Sequence, residues 1–391
     1  MVGPFGLHPN KTMSSRAFGL ARQLVAREHE VCLFMPPWQS PQEGDRHWQQ
    51  DGVLFRYIPL TGGMTRIARR LLKETLAWQP HIVHCFKPKA YSGLVAWWLW
   101  HFHRRRLPLV IDSDDWEGWG GWNDRAPYNA VQKHFFSWQE RWGMSHCHQL
   151  TVASKTLQSI AWSHGITKHK VLYLPNGSGL PGHENPTSDD IVAQRRILNI
   201  GDRPLLLLYS RLFEFKTARL AKVLAGIKAA IPDIAILSVG TSLFAEDATQ
   251  LQEELTKTSV LPALVELGWM DPEKLPVLLS SADVALYLMD DTLLNRTKCP
   301  VKLADLIALG VPVVAEAVGQ VSEYVISGRN GQLCESGDVS GLINNTVSIL
   351  ENKSQRSYMS AQAKARYQAN FSWDLLVDRL LQTYQTALAE L

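Results

Sequence analysis

Two cations follow a strongly apolar strand-like segment in the second half of the chain. The run Leu205–Tyr209 leads into a polar loop that carries Arg211 and Lys216, and a helical pattern follows. Arginine offers a planar fork of donors and lysine a compact charge, so the pair suits a diphosphate. A solvated loop without a ligand is the alternative interpretation.

A second segment whose residues could bind a ligand runs from Lys298 to Ala315. Pro300 is placed for the first turn of a helix, and Gly310 for its left-handed end. The free N–H groups at the start of this helix suit a phosphate. Lys302 and Asp305 are three residues apart and share one helix face, where a carboxylate can accept hydrogen bonds from sugar hydroxyls. The alternative is a capped surface helix with a solvated Lys–Asp pair.

A third cluster is acidic and lies at the end of the strand-like run Leu107–Asp112. Asp112 is followed closely by Asp114, Asp115, Trp116 and Glu117, within a loop rich in tryptophan and glycine. Strand-end acids can bind acceptor hydroxyls, and indoles can stack on a sugar. The alternative is that the acids cap neighbouring turns while the tryptophans pack the domain. Asp112-Ser-Asp114 has the Asp-x-Asp pattern of some metal sites. A pattern of only three residues is a weak indication, so we predict no metal site.

Strands and helices must position these residues. Along the chain, apolar strand-like runs alternate with helical patterns. Such alternation predicts parallel sheets covered by helices, with ligands at the carboxyl ends of the strands. In the first half the predicted elements are Met1–Phe5, 13–28, Glu30–Met35, 65–77, His81–Phe86, 90–104, Leu107–Asp112, 127–144, Gln149–Ala153 and Lys170–Leu174. In the second half they are Pro204–Tyr209, 217–231, Ala235–Val239, Leu264–Leu267, 272–281, Val284–Leu288, 300–309, Pro312–Ala315, 320–327 and 373–390, the last with Ser372 as its N-cap.

The pattern stops and restarts around a segment rich in Gly, Pro, Ser and Asp. We therefore predict an N-terminal domain over 1–180, a linker over 181–203 and a C-terminal domain over 204–370. Ligand binding is expected in the cleft between the two domains. The final segment, 371–391, is predicted to be a separate helix.

Composition narrows the class of protein. The 391 residues are 46% hydrophobic and 20% charged, as in ordinary globular chains, and the five cysteines show no disulfide or zinc spacing. No apolar run approaches the roughly 20 residues of a membrane span. We expect a cytoplasmic protein without a cofactor, and no recognised nucleic-acid-binding module is present.

Charge and tryptophan are distributed unevenly. Residues 1–180 carry a net charge of +9, the remainder −6, and 12 of the 14 tryptophans precede residue 180. The stretches Thr65–Lys73 and Ala96–Arg106 place cations beside large apolar residues, as interfacial helices do. Peripheral contact at the inner membrane surface is one interpretation, and a helix packed on the sheet with a solvated arginine-rich end is the other.

The order of these motifs resembles glycosyltransferase family 4. The resemblance extends over nearly the whole chain and is most specific in the second half. It rests on Pro175-Asn-Gly, Ser210-Arg-Leu-x3-Lys216, Gly268, Ala282-Asp-Val, Pro300-x-Lys-Leu-x-Asp-x4-Gly-x-Pro-Val-Val and Gly319-x3-Glu-x4-Gly-x2-Gly331. It implies two Rossmann-like doubly wound domains facing across a cleft, the glycosyltransferase B fold. It also implies a donor held mainly by the C-terminal domain and a last helix that packs back on the N-terminal one.

The resemblance assigns roles to individual residues. Arg211 and Lys216 are expected to neutralise the donor diphosphate, and Asp305 resembles the second acid of a Glu-x7-Glu motif that contacts the ribose. Thr297 stands where the first acid is expected, which leaves Asn295, Arg296 or Lys298 to contact the sugar. The full set of expected donor contacts is Gly3, Gly6, Arg211, Lys216, Gly268, Thr297, Lys298, Val301, Lys302, Asp305, Gly319 and Gln320.

The sequence thus predicts a retaining, metal-independent hexosyltransferase. Its donor would be a UDP- or GDP-hexose, and its acceptor a glycan, a lipid-linked sugar or a small molecule. Catalytic roles are expected for Arg211, Lys216, Asp112 and Asp114, and acceptor contacts for Asp112, Asp115, Trp116 and Glu117. A nucleotide-sugar epimerase of the same fold and a catalytically degenerate binding protein remain as alternatives.

Overall fold

The computed structural model describes residues 1–7, 12–180 and 186–391. Part of the first loop (8–11) and the first five residues of the predicted linker (181–185) lie outside it. The chain forms two compact units. Unit 1 comprises Met1–Gly177, Thr292–Cys299 and Phe371–Leu391, and unit 2 comprises Ser178–Asp291 and Pro300–Asn370.

The strands are short and mostly buried. In chain order they are β1 (Cys32–Met35), β2 (His47–Gln50), β3 (Val53–Tyr57), β4 (Val83–Phe86), β5 (Leu109–Ser113), β6 (Gln149–Val152), β7 (Val171–Tyr173), β8 (Leu205–Tyr209), β9 (Ala235–Val239), β10 (Leu264–Gly268), β11 (Val284–Tyr287), β12 (Val313–Glu316) and β13 (Gly331–Cys334).

The helices cover the sheets. In chain order they are α1 (Phe18–Val25, preceded by the π-helical turn Thr12–Ala17), α2 (Gly63–Ala77), α3 (Ala90–Phe102), α4 (Trp122–Arg125), α5 (Ala130–Ser145), α6 (Lys155–Ser163), α7 (Ser188–Ile197), α8 (Thr217–Ala230), α9 (Ala245–Thr256), α10 (Leu275–Ser280), α11 (Leu293–Thr297), α12 (Val301–Leu309), α13 (Val321–Tyr324), α14 (Val339–Glu351), α15 (Lys353–Asn370) and α16 (Trp373–Ala389).

In unit 1 the amino-terminal residue Val2 joins two groups of strands. It bridges Phe34 of β1 on one side and Cys85 of β4 on the other. The order is therefore β2-β3-β1, then Val2, then β4-β5-β6-β7, with only β2 antiparallel to its neighbour. Helix α3 contacts α2 and α5, all three contact strands of this sheet, and α16 packs on α1, β5 and β6.

In unit 2 the sheet is entirely parallel, with the order β10-β9-β8-β11-β12-β13. The order reverses next to β8, the first strand of the unit, which is the standard arrangement of a Rossmann-like sheet. All five residues of β8 are buried, as expected for a central parallel strand covered on both faces. The fold class is therefore confirmed: each unit is a Rossmann-like, doubly wound α/β structure.

Several local predictions are confirmed, and others needed correction. Ser372 caps α16 by accepting the amide N–H of Leu375, and Gly310 ends α12 in the left-handed conformation (φ 77°). The predicted strand Met1–Phe5 is reduced to the isolated bridge at Val2, since one residue pairs on each side. The predicted helix 320–327 is a single turn, α13. The β2–β3 hairpin and the elements α4, α6, α9, α11, β13, α14 and α15 were not predicted.

Candidate active site

Arg211 and Lys216 lie in the loop that leaves the carboxyl end of β8, next to the point where the strand order reverses. Lys216 is exposed and immediately precedes α8, and Arg211 is half-buried. Within the described ranges, neither side chain makes a hydrogen bond or an ion pair. Burial lowers the pKa of Arg211, and Glu214 partly offsets this, but an arginine keeps its charge. Two unpaired cations and the N-terminus of a helix therefore occupy one loop, which is an arrangement suited to an anion.

The backbone of this loop is held in an unusual conformation. Leu212 has φ 62°, in a region that non-glycine residues rarely adopt. Gly240 at the end of β9 approaches the same loop so closely that a Cβ there would lie 2.3 Å from the carbonyl oxygen of Ser210 and 3.0 Å from Nζ of Lys302. Lys302 is therefore brought to the ends of β8 and β9, close to the loop that holds Arg211.

Asp305 is almost fully buried on α12, and its carboxylate is hydrogen-bonded on both oxygens. Oδ1 accepts the Ser178 hydroxyl at 2.8 Å and the Gly179 N–H at 2.7 Å, and Oδ2 accepts the Tyr209 hydroxyl at 3.3 Å. Burial and then the Asp305 carboxylate hold the pKa of Tyr209 well above its usual range. Nζ of Lys302 lies 4.2 Å from the centre of the Tyr209 ring. Lys302 and Asp305 thus meet at Tyr209, in agreement with their expected common face.

The remaining expected donor residues of unit 2 lie at strand ends and helix starts. Gly268 ends β10 with φ 63° and accepts the Gly240 N–H at 2.7 Å. Gly319 has φ 51°, and the buried Gln320 directly precedes α13. Val301 is the first residue of α12. These positions are compatible with a ligand at the carboxyl edge of the sheet, and the donor contacts themselves stay predictions.

Thr297 and Lys298 belong to unit 1. Thr297 is fully buried, and its hydroxyl donates to the carbonyl of Leu294 within α11. Lys298 is largely buried, with Nζ 5.5 Å from the centre of the Trp122 ring. At the position of the expected first acid the chain thus has a side chain occupied by its own helix, and Lys298 faces the tryptophan-rich loop.

Asp112 is completely buried in a salt bridge. Arg16 donates two hydrogen bonds to its carboxylate, from Nε at 2.8 Å and from Nη2 at 2.7 Å. The Thr151 hydroxyl donates to Oδ2 at 2.5 Å. Nη1 of Arg16 also donates to Asn176 at 3.0 Å. Burial alone would lower the pKa of Arg16, but Asp112 raises it. Both oxygens of Asp112 are therefore occupied by protein groups in this structure.

Asp114 differs from Asp112 because only one of its two carboxylate oxygens accepts a hydrogen bond among the described residues. Its Oδ2 accepts the Thr12 hydroxyl, whereas Oδ1 is buried without a hydrogen bond among the described residues. The nearest cation, Nζ of Lys87, lies 3.5 Å from that oxygen. An acceptor oxygen at the end of β5 that has no hydrogen bond among the described residues is suited to a ligand hydroxyl.

Two lysines that sequence reasoning missed hold this acidic cluster together. Lys87 contacts Asp115 at 3.2 Å and Glu117 at 3.1 Å, and Lys89 contacts Glu117 at 2.5 Å. Burial alone would lower the pKa of Lys87, but the carboxylates of Asp114, Asp115 and Glu117 raise it well above its usual range. Burial raises the pKa of Asp115, whereas Lys89 and Lys87 lower that of Glu117 despite its burial. Lys87 directly follows β4, so the strand-end argument that found Arg211 applies to it as well.

Glu140 on α5 is the other buried acid of this region. The Ser113 hydroxyl donates to Oε1 at 2.6 Å, and Oε2 has no hydrogen-bond partner in the described part of the chain. Burial raises the pKa of Glu140 to about 8. This carboxyl group is therefore protonated at neutral pH and adds little negative charge to the cluster.

The tryptophans of the loop after β5 divide into buried and accessible ones. Trp116 is only 7% exposed, belongs to the hydrophobic core and donates its indole N–H to the carbonyl of Trp119 at 2.9 Å. Trp122 donates to Asp115 at 3.2 Å, and Trp119 is 48% exposed. The position of Trp116 agrees with the packing alternative, so Trp119 and Trp122 are the better stacking candidates of this loop.

Gly3 and Gly6 are explained by packing. A Cβ on Gly3 would lie 2.5 Å from Sδ of Met13, and one on Gly6 would lie 3.0 Å from the Tyr57 hydroxyl. Neither requires a ligand, so their expected donor contacts stay predictions. Among the residues that the structure describes, no group of three or more His, Cys, Asp or Glu side chains is arranged for a metal ion.

Comparison with known proteins finds a glycosyltransferase domain in each half of the chain. The model of the glycosyl transferase 4-like domain matches residues 12–177, and that of the glycosyl transferases group 1 matches residues 190–366. The two matches follow one another and together span most of the chain.

Two curated relatives match parts of the chain. A GDP-mannose-dependent monoacylated alpha-(1-6)-phosphatidylinositol monomannoside mannosyltransferase of Corynebacterium glutamicum is 25% identical over 238 residues, 59% of this chain and 59% of that protein. A glycogen synthase of Mycobacterium tuberculosis is 30% identical over 165 residues, 41% of this chain and 38% of that protein. The chain thus aligns with only about two fifths to three fifths of the length of these relatives.

The fold has a counterpart along nearly the full chain. The crystal structure of HepE from Anabaena in complex with UDP and glucose superposes with a TM-score of 0.74 at 15% identity, covering 98% of this chain and 99% of that one. At this identity the likeness shows the fold alone, which is the glycosyltransferase B fold. With both family models matched in order, the chain consists of a glycosyl transferase 4-like domain followed by a glycosyl transferases group 1 domain.

Proposed function

We propose that this protein transfers a hexose from a nucleotide sugar to an acceptor hydroxyl, with retention of configuration and without a metal ion. The observation that carries the proposal is the pair of cations Arg211 and Lys216, which make no hydrogen bond or ion pair within the described residues, in the loop at the strand-order reversal of unit 2. That loop is where a Rossmann-like sheet binds its ligand.

The chemistry follows from charge. When the bond between the sugar and the diphosphate breaks, negative charge develops on the leaving group. Arg211, Lys216 and the N-terminus of α8 are positive groups already in place, so they can stabilise that charge without a metal ion. Lys302 at the ends of β8 and β9 adds a third cation to the same edge. Retention is inferred from the family resemblance, and the anomeric configuration of the product, read by NMR, tests it.

The donor class is supported by the relatives. The Corynebacterium relative is GDP-mannose-dependent by name, and HepE was crystallised with UDP and glucose. We therefore propose a UDP- or GDP-hexose as the donor. The glycogen synthase match is compatible with a role in polysaccharide biosynthesis.

The acceptor is proposed to bind unit 1 at the acidic cluster after β5. Oδ1 of Asp114 accepts the reacting or a neighbouring hydroxyl, and Trp119 offers an exposed ring to a sugar face. Asp112 acts through Arg16 by holding the loop and is proposed as a positioning residue rather than a contact. A glycan or lipid-linked acceptor fits this site, and the phosphatidylinositol mannoside in the name of the Corynebacterium relative supports a lipid-linked one. With such an acceptor, unit 1 is also proposed to contact a membrane peripherally.

Calorimetric binding of a panel of nucleoside diphosphates and their sugars, with EDTA present, tests the donor site. We expect one diphosphate to bind with micromolar affinity and the Lys216→Ala variant to lose that binding. Transfer by this variant should fall by about 10²–10³, as for other groups that stabilise a developing charge. Lys222→Ala removes the same charge from an exposed position of α8 and serves as the matched control.

A purified, folded Lys216→Ala variant that turns over at the wild-type rate would exclude the assignment. Donor binding that requires a divalent cation would exclude metal independence. Of the two alternatives, Thr297 favours a binding protein without turnover, because no acid stands at that position. Tight diphosphate binding together with no transfer to any acceptor tested would support that alternative.

A further inference from the structure

Helices α2, α3 and α5 form a continuous layer on unit 1, with α3 in the middle. Helix α3 contacts both α2 and α5, while α2 packs on β1, α3 on β4 and β5, and α5 on β5. The layer therefore turns one side toward the core and the other toward solvent. The outer side differs in composition from the acidic cluster, because it carries aromatic rings and cations.

Aromatic rings run across this layer from α3 to α5. The ring centres are 4.7 Å apart for Trp98 and Phe102, 5.7 Å for His101 and Trp142, and 6.0 Å for Trp142 and Trp138. Phe102 is 62% exposed, and Trp98 and Trp138 are each more than 40% exposed. Several exposed rings that lie side by side mark a surface that binds a partner.

The charge around the rings is almost entirely positive. Over residues 63–106 and 130–145 the acids are Glu74, which is paired with Arg56 at 3.4 Å, and the buried Glu140. On the three helices and the turn after α3, the exposed or half-buried cations are Arg66, Arg69, Arg70, Lys73, Arg104, Arg105, Arg106, Lys133 and Arg141, and the half-buried Lys89 before α3 is paired with Glu117. The partner of this surface must therefore accept indole rings and also carry negative charge.

We propose that the outer face of α2, α3 and α5 docks on an anionic lipid bilayer. Tryptophan is favoured at the boundary between headgroups and acyl chains, and arginines beside it are drawn to anionic headgroups. A second copy of the chain is disfavoured because a symmetric contact would bring the same positive charge against itself. A neutral glycan is disfavoured because it would offer no negative charge to the cations. No helix among the described residues is long and apolar enough to span a membrane, so the contact is a surface one.

The inference names the surface for the membrane contact of the proposed function and is independent of the transfer chemistry. Its test therefore needs no substrate. Vesicles of phosphatidylcholine with about one third phosphatidylglycerol are sedimented with the 391-residue chain at low and high salt, and bound protein is measured. We expect binding to the anionic vesicles, weakening with salt, and little binding to phosphatidylcholine alone.

Two variants of the surface test its two components. Arg104→Gln/Arg105→Gln/Arg106→Gln should lower the partition coefficient about 100-fold, since each cation near the surface contributes about fivefold. Trp98→Gln/Phe102→Gln should lower it about tenfold or more by removing the inserted rings.

Matched controls lie on unit 2. Lys222→Gln/Lys257→Gln/Lys353→Gln removes three exposed cations, and Tyr358→Ser removes an exposed ring. These variants should bind vesicles as the wild type does. Circular dichroism melting and diphosphate calorimetry show that each variant is folded, so a failure of docking is separable from a failure of the donor site.

Three outcomes would overturn the proposal: no vesicle binding at low salt, equal loss in the surface and control variants, or equal binding to neutral vesicles. A concentration-dependent dimer abolished by Trp98→Gln/Phe102→Gln, without vesicle binding, would identify a second copy as the occupant.

Discussion

Asp112 and Asp114 are two residues apart at the end of β5, but their surroundings assign them different roles. Asp112 is enclosed with Arg16, whereas Asp114 keeps one oxygen without a hydrogen bond among the described residues. A buried pair is costly to break because the remaining charge has no partner. An acceptor oxygen facing a ligand can be changed with less effect on folding.

We therefore expect different effects from two matched substitutions. Asp112→Asn should lower the free energy of unfolding by about 3–5 kcal/mol, because Arg16 is left without its counter-charge. Asp114→Asn should lower it by less than Asp112→Asn does, because Lys87 keeps Asp115 and Glu117 as counter-charges, and should reduce transfer. Urea unfolding and a transfer assay on both variants provide the measurement. An Asp112→Asn variant of wild-type stability that had lost transfer would instead make Asp112 a catalytic residue.

Glu140 makes stability depend on pH. Its pKa is raised from the ordinary 4.5 to about 8 by burial. Below pH 4.5 both the folded and the unfolded chain hold the proton, so the group has no effect. Between pH 4.5 and 8 the unfolded chain loses the proton while the folded one keeps it, so the free energy of unfolding falls by up to about 1.4 kcal/mol per pH unit.

Glu140→Gln removes this dependence while keeping an oxygen for the Ser113 hydroxyl. We expect the variant to be more stable than the wild type at pH 8.5, by a few kcal/mol at most (about 1.4 per unit of pKa shift), with the difference vanishing toward pH 4.5. Glu351→Gln at the exposed end of α14 is the control. Parallel curves for wild type and Glu140→Gln between pH 5 and 8.5 would contradict the assignment.

At the scale of elements, the last helix is a structural part of unit 1. Leu380 on α16 is fully buried in a core with residues of the π-helical turn, α1 and β1 to β3, whereas Leu388 on the same helix is 45% exposed. Leu380→Ala should therefore lower the free energy of unfolding by about 2–5 kcal/mol. Leu388→Ala should change it by less than about 0.5 kcal/mol. Chemical denaturation measures both, and equal losses would mean that α16 does not contribute as the structure indicates.

Elements also explain why some predictions succeeded. Helix α12 was predicted because proline and glycine mark its ends and an apolar strand follows, and the structure has it one residue from the predicted start. The β2–β3 hairpin was missed because β2, His47–Gln50, is an exposed edge strand of mostly polar residues. Without a buried face it lacks the alternation that identifies a strand.

At the scale of the whole molecule, the uneven charge has a structural counterpart. The positive first half of the chain supplies the aromatic and cationic face of α2, α3 and α5, whereas the cluster of Lys87 and Lys89 with Asp114, Asp115 and Glu117 holds more acids than lysines. The net charge of +9 over residues 1–180 therefore resides on surfaces and not in the cluster. The vesicle experiment tests this distribution directly.

The sequence by itself determined the fold class, the family and the cations of the loop after β8. Those features are local: apolar runs, proline and glycine positions, and charges a few residues from a strand end. It did not determine which of Asp112 and Asp114 is enclosed, nor that Arg16, 96 positions from Asp112, would be its partner. Burial and charge pairing depend on residues that are distant in the chain, so only the tertiary structure assigned a buried ion pair to Asp112 and an acceptor oxygen to Asp114.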